Sequence, residues 1–186
     1  MSSTMWAPSL RVPVSARRDH IRGPASAPVM LLEYGDYQCP YCGAAHQIVN
    51  AIQAQAGDAL GFVFRHFPMT TVHPLAEQAA EAAEAAGAQG KFWAMHETLF
   101  DNQQQLELPA LLTYAHALGL DIDQFSSDIA EQRYAAKIAD DFMSGVRSGV
   151  NGTPTFYING VRHDGGWDFA NLAAAIQSAA AAVVNL

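Results

Sequence analysis

The amino-acid sequence predicts an α/β protein with a mixed central sheet that is split by a block of helices. Three segments have the composition of strands, and they lie at 29–34, 61–67 and 155–158. Between the second and the third lies an alanine-rich stretch, about 73–148, whose composition favours helix. Strands so far apart in sequence form one sheet only if the helical block is an insertion between them.

The start of the chain is predicted to be a loosely ordered arm over residues 1–24, because prolines and a glycine interrupt it. Met1 to Pro8 lacks the basic-then-apolar order of a secretory signal. No apolar stretch approaches the roughly 18 residues that a membrane-spanning helix needs. We therefore expect a cytoplasmic protein without membrane insertion, whereas a trimmed signal would place it outside the cytoplasm.

A strand, a helix and a second strand are predicted after the arm. The apolar run 29–34 is predicted to be a buried strand. Residues 40–56 are predicted to be helical, with Pro40 in the first turn, where a missing N–H costs nothing. The second strand, 61–67, ends at a proline, so that residues 25–72 form the first part of the sheet domain.

The central block, 73–148, is predicted to be an inserted domain of five helices. The first carries Glu77, Glu81 and Glu84 at helical spacing, which we interpret as one solvated polar face. The other four are expected at 91–102, at 109–118, as a short helix capped by Asp121 or Asp123, and at about 131–147.

The last segment, 149–186, is predicted to complete the sheet domain. Strand composition returns at 155–158, and Asn159-Gly160 is a two-residue hairpin signal before a further short strand. Asp168 is expected to cap a final helix.

The two cysteines of the chain, Cys39 and Cys42, stand three apart at the predicted strand-to-helix junction. A thiol at a helix start faces free N–H groups and the positive end of the helix dipole, which lower its pKa. We expect Cys39 to attack a substrate disulfide and the more buried Cys42 to resolve the mixed disulfide. The intervening Pro40 and Tyr41 are expected to tune the stability of the thiolate.

Glu33 lies six residues before Cys39, on the preceding strand, and two interpretations stay open. In the first, its carboxyl group is buried under the dithiol, has a raised pKa and relays a proton to or from Cys42. In the second, it points to solvent or caps a backbone group.

Several separated segments together resemble the DsbA-like branch of the thioredoxin superfamily, over about residues 19–183. The matching segments are 33–42, 65–68, 92–96, 99–100, 148–150 and 152–160. The resemblance implies a thioredoxin-like fold with an inserted α-helical domain and the activity of a thiol–disulfide oxidoreductase. It favours a buried acid at Glu33, because this position of the family holds one.

The resemblance also implies a substrate-binding edge formed by Pro40, Tyr41, Thr153 and Pro154. Pro154 is expected to be a cis-proline beside the dithiol, and Thr153 to offer backbone hydrogen bonds to an extended substrate. The strongly oxidising periplasmic members carry a histidine between the cysteines, whereas this chain has Pro40-Tyr41. A strongly oxidising potential is therefore not implied.

The sequence thus predicts an enzyme that needs no bound cofactor and exchanges disulfides with protein or low-molecular-weight thiol partners. In a cytosolic setting, reduction or isomerisation is favoured over net disulfide formation. The net charge of −8 argues against nucleic acid as a partner. The oligomeric state is not predicted.

Alternative functions stay open beside this prediction. One is a redox-silent peptide-binding or chaperone-like module, in which part of the apolar cluster around Phe92 and Trp93, together with Met69, borders the dithiol. Another is a small metal-binding protein that uses Cys39, Cys42 and His46 with a distant fourth ligand. An isomerase or transferase on the same scaffold is a further alternative. No metal site is included in the prediction itself, and the scattered histidines 66, 73 and 96 are interpreted as ordinary core or surface groups.

Overall fold

Five strands form a mixed sheet in the computed structural model, which describes residues 9–184. The strands are β1 (Ile21–Arg22), β2 (Val29–Gly35), β3 (Leu60–His66), β4 (Thr155–Ile158) and β5 (Val161–His163). Their order in the sheet is β1-β3-β2-β4-β5. The pair β2–β3 is parallel and the other pairs are antiparallel. The predicted α/β class with a mixed sheet is confirmed.

Seven α-helices flank the sheet in the described part of the chain. They are α1 (Pro40–Ala56), α2 (Ala76–Ala88), α3 (Phe92–Asp101), α4 (Leu108–Ala117), α5 (Ile122–Ala130), α6 (Ala135–Ser148) and α7 (Phe169–Val184). Helices α2 to α6 lie between β3 and β4 in the sequence, where the five-helix block was predicted. The short stretch Gly57–Ala59 is a single 3₁₀ turn between α1 and β3.

Strand β2 lies at the centre of the sheet and is hydrogen-bonded along both edges. It pairs in parallel with β3 on one side and antiparallel with β4 on the other. Glu33 of β2 stands opposite Phe64 of β3 and Phe156 of β4. Because α1 connects β2 to its parallel neighbour β3, the three elements form a βαβ unit. The carboxyl end of β2 is therefore held in a fixed position, from which the chain turns into α1.

Helix α1 begins where its sequence predicts. Pro40 occupies the first turn, and Cys39 is the N-cap residue with an extended backbone. The buried residues of the helix recur at helical spacing and form one apolar face toward the core: Cys42, Ala45, His46, Val49 and Ile52. Gly57 ends the helix with a φ of 53°, a backbone conformation that glycine adopts without strain.

The prediction of a loosely ordered arm is wrong for residues 9–24. Ile21 of β1 pairs with Val63 of β3, so that this segment adds an edge strand to the sheet. The backbone N–H of Leu10 donates a hydrogen bond to the carbonyl of Gly160, at 2.8 Å. Residues 1–8, where the order typical of a secretory signal was not found in the sequence, lie outside the described residues.

A buried arginine holds this N-terminal segment in place. The Arg65 side chain is fully buried, and its Nε and one terminal nitrogen each donate to the Asp19 carboxylate at 2.9 Å. The same guanidinium donates to the carbonyls of Val12 and Pro13, at 2.8 and 3.1 Å. A charge in this position is stabilised only while all of these partners are present.

The predicted solvated glutamate face of α2 is wrong for two of its three members. Glu77 is exposed, but Glu81 and Glu84 are buried. His20 and His66 each place a ring nitrogen 2.9 Å from a carboxylate oxygen of Glu84. Although burial opposes the effect, these contacts lower the pKa of Glu84. Helical spacing identifies a common face, but it does not reveal that other parts of the chain cover that face.

The helix caps and turns that local signals indicate were predicted more accurately. Asp121, and not Asp123, caps α5 by accepting a backbone N–H of the first turn at 2.9 Å. Asp168 does the same for α7 at 3.2 Å. The hairpin residues Asn159 and Gly160 both have positive φ, at 48° and 80°, as a tight two-residue turn requires.

We predict that the Arg65→Met substitution destabilises the protein by about 3–5 kcal/mol, because it removes both hydrogen bonds of the guanidinium to the buried Asp19 carboxylate. The free energy of unfolding is measured by urea denaturation. Arg147→Met is the matched control, since Arg147 is half-exposed and lies 3.9 Å from Asp140; there we expect about 0–1 kcal/mol. Equal losses in the two variants would contradict the structural role assigned to Arg65.

Candidate active site

The two thiols lie together at the start of α1, beyond the carboxyl end of β2. Both cysteines are free in the structure. Cys39 is 4% exposed and Cys42 is fully buried, which is the order that was predicted. The N–H of Cys39 donates to the carbonyl of Asp36 at 3.1 Å and closes the turn that leads into the helix.

Cys39 is in a position that stabilises its thiolate. A hydrogen bond from the Cys42 thiol is the main cause that lowers the pKa of Cys39 to about 5. Burial acts in the opposite direction, while an interaction with Thr153 and hydrogen bonds from the backbone N–H groups of Tyr41 and Cys42 add to the lowering. The backbone N–H groups of the helix start contribute to the lowering, as expected, whereas the main cause, the Cys42 thiol, was not predicted.

The surroundings of Cys42 favour its protonated thiol, in contrast to those of Cys39. Burial raises its pKa well above the ordinary value, and the hydrogen bond that it donates to Cys39 and the charge of Glu33 raise it further. At neutral pH the pair thus consists of one thiolate and one thiol. This asymmetry separates an attacking group from a group that is held in reserve.

The Glu33 carboxyl group is buried beneath the dithiol, so that the solvent-facing interpretation is wrong. Glu33 is 2% exposed. Burial is the main cause that raises the pKa of Glu33 to about 8; the charge of the Cys39 thiolate adds to the increase, and a hydrogen bond with Cys42 opposes it. Oε1 of this carboxyl group has no hydrogen-bond partner among the described residues.

The residues just before strand β4 lie beside Cys39, although they are distant from it in the sequence. The peptide bond between Thr153 and Pro154 is cis, as the resemblance implied. The Cys39 sulfur lies 3.5 Å from the carbonyl oxygen of Thr153, to which the protonated thiol donates. The Thr153 hydroxyl donates to the sulfur of Met69 at 3.8 Å.

Apolar side chains surround the dithiol, but only some of those that were expected. Tyr41 is 65% exposed, and Val72 is exposed beside Met69; these three residues are called the apolar rim below. The cluster on α3 does not contribute as predicted, because Phe92 is buried in the core and Trp93 packs against that core.

Asp36 is a site residue that the sequence analysis missed. Its buried carboxylate accepts the backbone N–H groups of Gln38 and Met69, both at 2.8 Å, and also contacts the His73 ring nitrogen at 2.8 Å. It therefore ties the turn before Cys39 to the loop after β3. The aspartate in a turn sequence was the available signal.

Gln103, in the loop after α3, is a second residue that was missed. Its side-chain nitrogen donates to the carbonyls of Tyr37 and Cys39, both at 2.8 Å. Gly43 leaves the space for this side chain, since a Cβ atom there would collide with it. No local pattern in the sequence distinguishes Gln103 from its glutamine neighbours.

The prediction that His66, His73 and His96 are scattered is wrong, because each of them contacts a residue of the dithiol turn. His46, His66 and His96 all lie close to the dithiol turn, and the His96 Nδ1 is 3.0 Å from the hydroxyl of Tyr37. His46 Nε2 lies 2.9 Å from a carboxylate oxygen of Glu97. Among the residues that the structure describes, Cys39, Cys42 and His46 do not form a group of metal ligands, which argues against that alternative.

We predict that alkylation of the reduced protein by iodoacetamide follows a single titration with a midpoint near pH 5, and that it modifies Cys39. The Cys42→Ala variant is expected to titrate at higher pH, because its main thiolate-stabilising hydrogen bond is lost. Mass spectrometry of the quenched protein gives the midpoint. The control is Gln47→Ala on an exposed face of α1, which should not shift it. An unchanged midpoint in Cys42→Ala would refute the assigned cause.

Comparison with solved structures identifies similar folds. BdbD from Bacillus subtilis superposes with a TM-score of 0.82 at 22% identity, covering 94% of this chain and 97% of BdbD. Wolbachia pipientis alpha-DsbA1 gives a TM-score of 0.80 at 21% identity, with 94% and 96% covered. A thioredoxin-like oxidoreductase from Silicibacter pomeroyi gives 0.77 at 29% identity, with 87% and 92% covered.

Curated proteins that are named as antiporters have a higher sequence identity to this chain than these solved structures have. The Na(+)/H(+) antiporter NhaA 1 of Salinispora arenicola is 49% identical over 170 residues, which are 91% of this chain but 26% of that protein. NhaA 1 of Mycolicibacterium vanbaalenii is 44% identical over 168 residues, with 89% and 27% covered. The chain thus spans about a quarter of the length of the curated relatives that it matches. No helix among residues 9–184 has the length and apolar character of a membrane span, and the cytoplasmic location stays a prediction.

The family assignment rests on nearly the whole chain. A family model described as Thioredoxin matches residues 15–178. The predicted thioredoxin-like fold is confirmed by the structural neighbours, which include DsbA-type thiol–disulfide oxidoreductases. The chain belongs to the thioredoxin family, and its fold is that of the DsbA-type members, with helices α2 to α6 inserted between β3 and β4.

Proposed function

We propose that the protein is a thiol–disulfide oxidoreductase that exchanges disulfides with protein or low-molecular-weight thiol substrates through Cys39 and Cys42. The observation that carries this proposal is the opposite shift of the two thiol pKa values, with Cys39 at about 5 and Cys42 well above its ordinary value. A structural pair of thiols has no need of this asymmetry, whereas exchange through a mixed disulfide does.

The first step is the attack of the Cys39 thiolate on one sulfur of a substrate disulfide. A bond forms between Cys39 and that sulfur, the substrate disulfide breaks, and the other substrate sulfur leaves as a thiolate that takes a proton from water. The product is a mixed disulfide. The apolar rim and the Thr153 backbone would hold an extended substrate segment beside Cys39, with Pro40, Tyr41 and Pro154 shaping the edge.

The second step requires Cys42 to lose its proton, and Glu33 is placed to accept it. In the free enzyme the Cys39 charge helps to keep Glu33 protonated. Formation of the mixed disulfide removes that charge, so that the pKa of Glu33 falls and its proton leaves. The resulting carboxylate takes the Cys42 proton, and the Cys42 thiolate attacks the sulfur of Cys39. The bond between Cys39 and the substrate sulfur breaks, and that sulfur leaves as a thiolate that takes a proton from water. The substrate leaves with both sulfurs reduced, and the enzyme is oxidised to the Cys39–Cys42 disulfide.

The pKa of Cys39 also bears on the direction of electron flow. A value of about 5 lies between the values of about 3.5 for DsbA and about 7 for thioredoxin. Greater stability of the thiolate favours the reduced enzyme and so makes the disulfide more oxidising. We therefore expect a reduction potential between those of the two proteins, about −120 and −270 mV.

The proposal covers the segment that this chain shares with its relatives. Sodium–proton antiport is the activity in the names of proteins of which the chain covers about a quarter. The division into a sheet domain, 25–72 and 149–186, and a helical insertion, 73–148, is also part of the proposal.

The proposal is tested by equilibrating the purified protein in glutathione buffers and trapping its thiols with an alkylating agent. We expect one reversible two-electron couple with a potential between about −120 and −270 mV. Cys42→Ser should accumulate a mixed disulfide with glutathione, and Cys39→Ser should form none. If no reversible couple is found, the oxidoreductase proposal fails, and a redox-silent binding module takes its place.

The role of Glu33 is tested with Glu33→Gln, which keeps the shape of the side chain but accepts no proton. We expect closure of the Cys39–Cys42 disulfide from the mixed disulfide to slow by roughly 10²-fold at pH 7. Closure in the variant should become tenfold faster with each pH unit, because it then depends on the high pKa of Cys42. Quenched-flow alkylation measures the rate. Glu77→Gln, an exposed change on α2, is the control. A parallel pH profile for wild type and Glu33→Gln would rule out proton transfer through this carboxyl group.

A further inference from the structure

A second group of polar side chains lies next to the dithiol turn and has no step in the proposed thiol exchange. His46 belongs to α1, while His96 and Glu97 are consecutive residues of α3. One ring nitrogen of each histidine and one carboxylate oxygen of Glu97 all lie within 4.8 Å of one another. Both histidines are buried, and Glu97 is partly exposed. The group is therefore enclosed, with one side open to solvent.

His96 has a ring nitrogen without a partner. Its Nδ1 lies 3.0 Å from the Tyr37 hydroxyl, whereas Nε2 is buried and has no hydrogen-bond partner within the part of the chain that is described. Burial is the main cause that keeps the pKa of His96 well below its ordinary value, so that the ring is neutral. An unsatisfied buried polar atom costs free energy and calls for an explanation. A neutral imidazole nitrogen is the most common metal ligand in proteins.

Glu97 is charged and is held in place by several neighbours. Its Oε2 lies 2.9 Å from His46 Nε2 and accepts a hydrogen bond from the side-chain amide of Asn50 at 3.0 Å. Arg22 binds the other oxygen. Burial opposes ionisation, but the contacts with His46, Asn50 and Arg22 lower the pKa of Glu97 to about 2. Groups of this kind, which orient a ligand from behind, are typical of metal sites.

We propose that His46, His96 and Glu97 bind a zinc ion. Two imidazoles and one carboxylate are a ligand set that zinc accepts in tetrahedral sites, with water in the fourth position. Zinc–ligand bonds of about 2.0–2.2 Å place the ligand atoms roughly 3.3 Å apart, so that small rotations of the side chains close the site. The partly exposed Glu97 gives the ion its route from solvent. The charge of Arg22 opposes the ion, which limits the affinity of the site.

A similar group elsewhere in the fold does not support the same conclusion. His66, Glu84 and Asp141 also lie within 4.8 Å of one another. Asp141, however, binds Arg18 and Lys137, both at 2.6 Å, and Glu84 is paired with His66 and lies 3.7 Å from Lys137. These carboxylates are already neutralised by cations, so that this group is a buried ion-pair network.

The nearby dithiol has to be excluded from any measurement of zinc binding. His46 lies one helical turn after Cys42, about 6 Å further along the axis of α1. Thiolates are themselves strong zinc ligands. The measurement therefore uses the full chain with both Cys39→Ser and Cys42→Ser, which makes the result independent of the proposed oxidoreductase activity.

The test is a titration of this metal-free double variant with zinc chloride against a chromophoric chelator. We expect one zinc ion per chain. Adding Glu97→Gln or His96→Gln should weaken binding by at least about 10–100-fold, since even loss of an outer-shell partner has an effect of that size. His116→Gln, which changes an exposed histidine of α4, should leave the affinity unchanged.

A second readout distinguishes the ligands directly. Cobalt(II) bound to the same Cys39→Ser, Cys42→Ser protein should show the visible bands of a tetrahedral nitrogen–oxygen site that disappear when Glu97→Gln is added. Circular dichroism confirms that each variant is folded, and if His96→Gln does not fold, Glu97→Gln and His46→Gln decide the question. Loss of zinc binding in the thiol-free protein, or an affinity that is the same in Glu97→Gln and His116→Gln, would overturn the proposal.

Discussion

The pairing of β2 along both of its edges is the constraint on which the site depends. Because β2 and β4 are antiparallel, the end of one strand stands beside the start of the other, with Tyr34 opposite Thr155. The chain that leaves β2 and the chain that enters β4 therefore meet at the same edge of the sheet. This is why the sulfur of Cys39 and the carbonyl oxygen of Thr153 lie 3.5 Å apart although 114 residues separate them. A slip of one residue in this pairing would turn Glu33 away from the dithiol.

The electrostatics of the site follow from its burial. Cys39, Cys42 and Glu33 are three acids in one enclosed space, and each charge makes the next one more costly. At neutral pH the negative charge rests on Cys39, because hydrogen bonds and the helix start stabilise it there, while Glu33 and Cys42 keep their protons. In the proposed mechanism this charge leaves with the first substrate thiolate, and a second charge then forms on Glu33 and passes to Cys42. No bound cofactor is needed for that transfer, because the sulfurs themselves carry the electrons.

The sequence predicted the parts of the fold that local chemistry determines. Pro40 at the start of α1, the Asn159-Gly160 turn and the cap at Asp168 all depend on neighbouring residues, and all were predicted. The errors concern residues whose partners are distant in sequence. Arg65 orders a segment about 50 residues before it. Glu84 was assigned to a solvated face because the spacing of a helix says nothing about what covers it.

In the candidate site, too, the residues that depend on their sequence neighbours were predicted, and those with distant partners were not. The positions of the two thiols and the order of their burial were predictable, since a Cys-x-x-Cys pair at a strand-to-helix junction places the first cysteine at the helix start and the second one turn inside. The burial of Glu33 was not predictable from the residues alone, because the facing of a central strand cannot be read from a run that is apolar throughout. Asp36 and Gln103 were missed because they support the site by binding backbone atoms; the aspartate in a turn was the available signal for Asp36, and Gln103 had none.

The helical insertion packs on the sheet, and its side chains also form hydrogen bonds with the dithiol turn. Gln103 donates to the carbonyls of Tyr37 and Cys39, and His96 contacts the hydroxyl of the same tyrosine. Tyr37 is fully enclosed between these groups and the aromatic ring of Phe64. A packed aromatic side chain in such a position does not move independently of its neighbours. A change in the side chains of α3, including the binding of a metal ion at His96, therefore acts on the turn that sets the hydrogen bonds of Cys39.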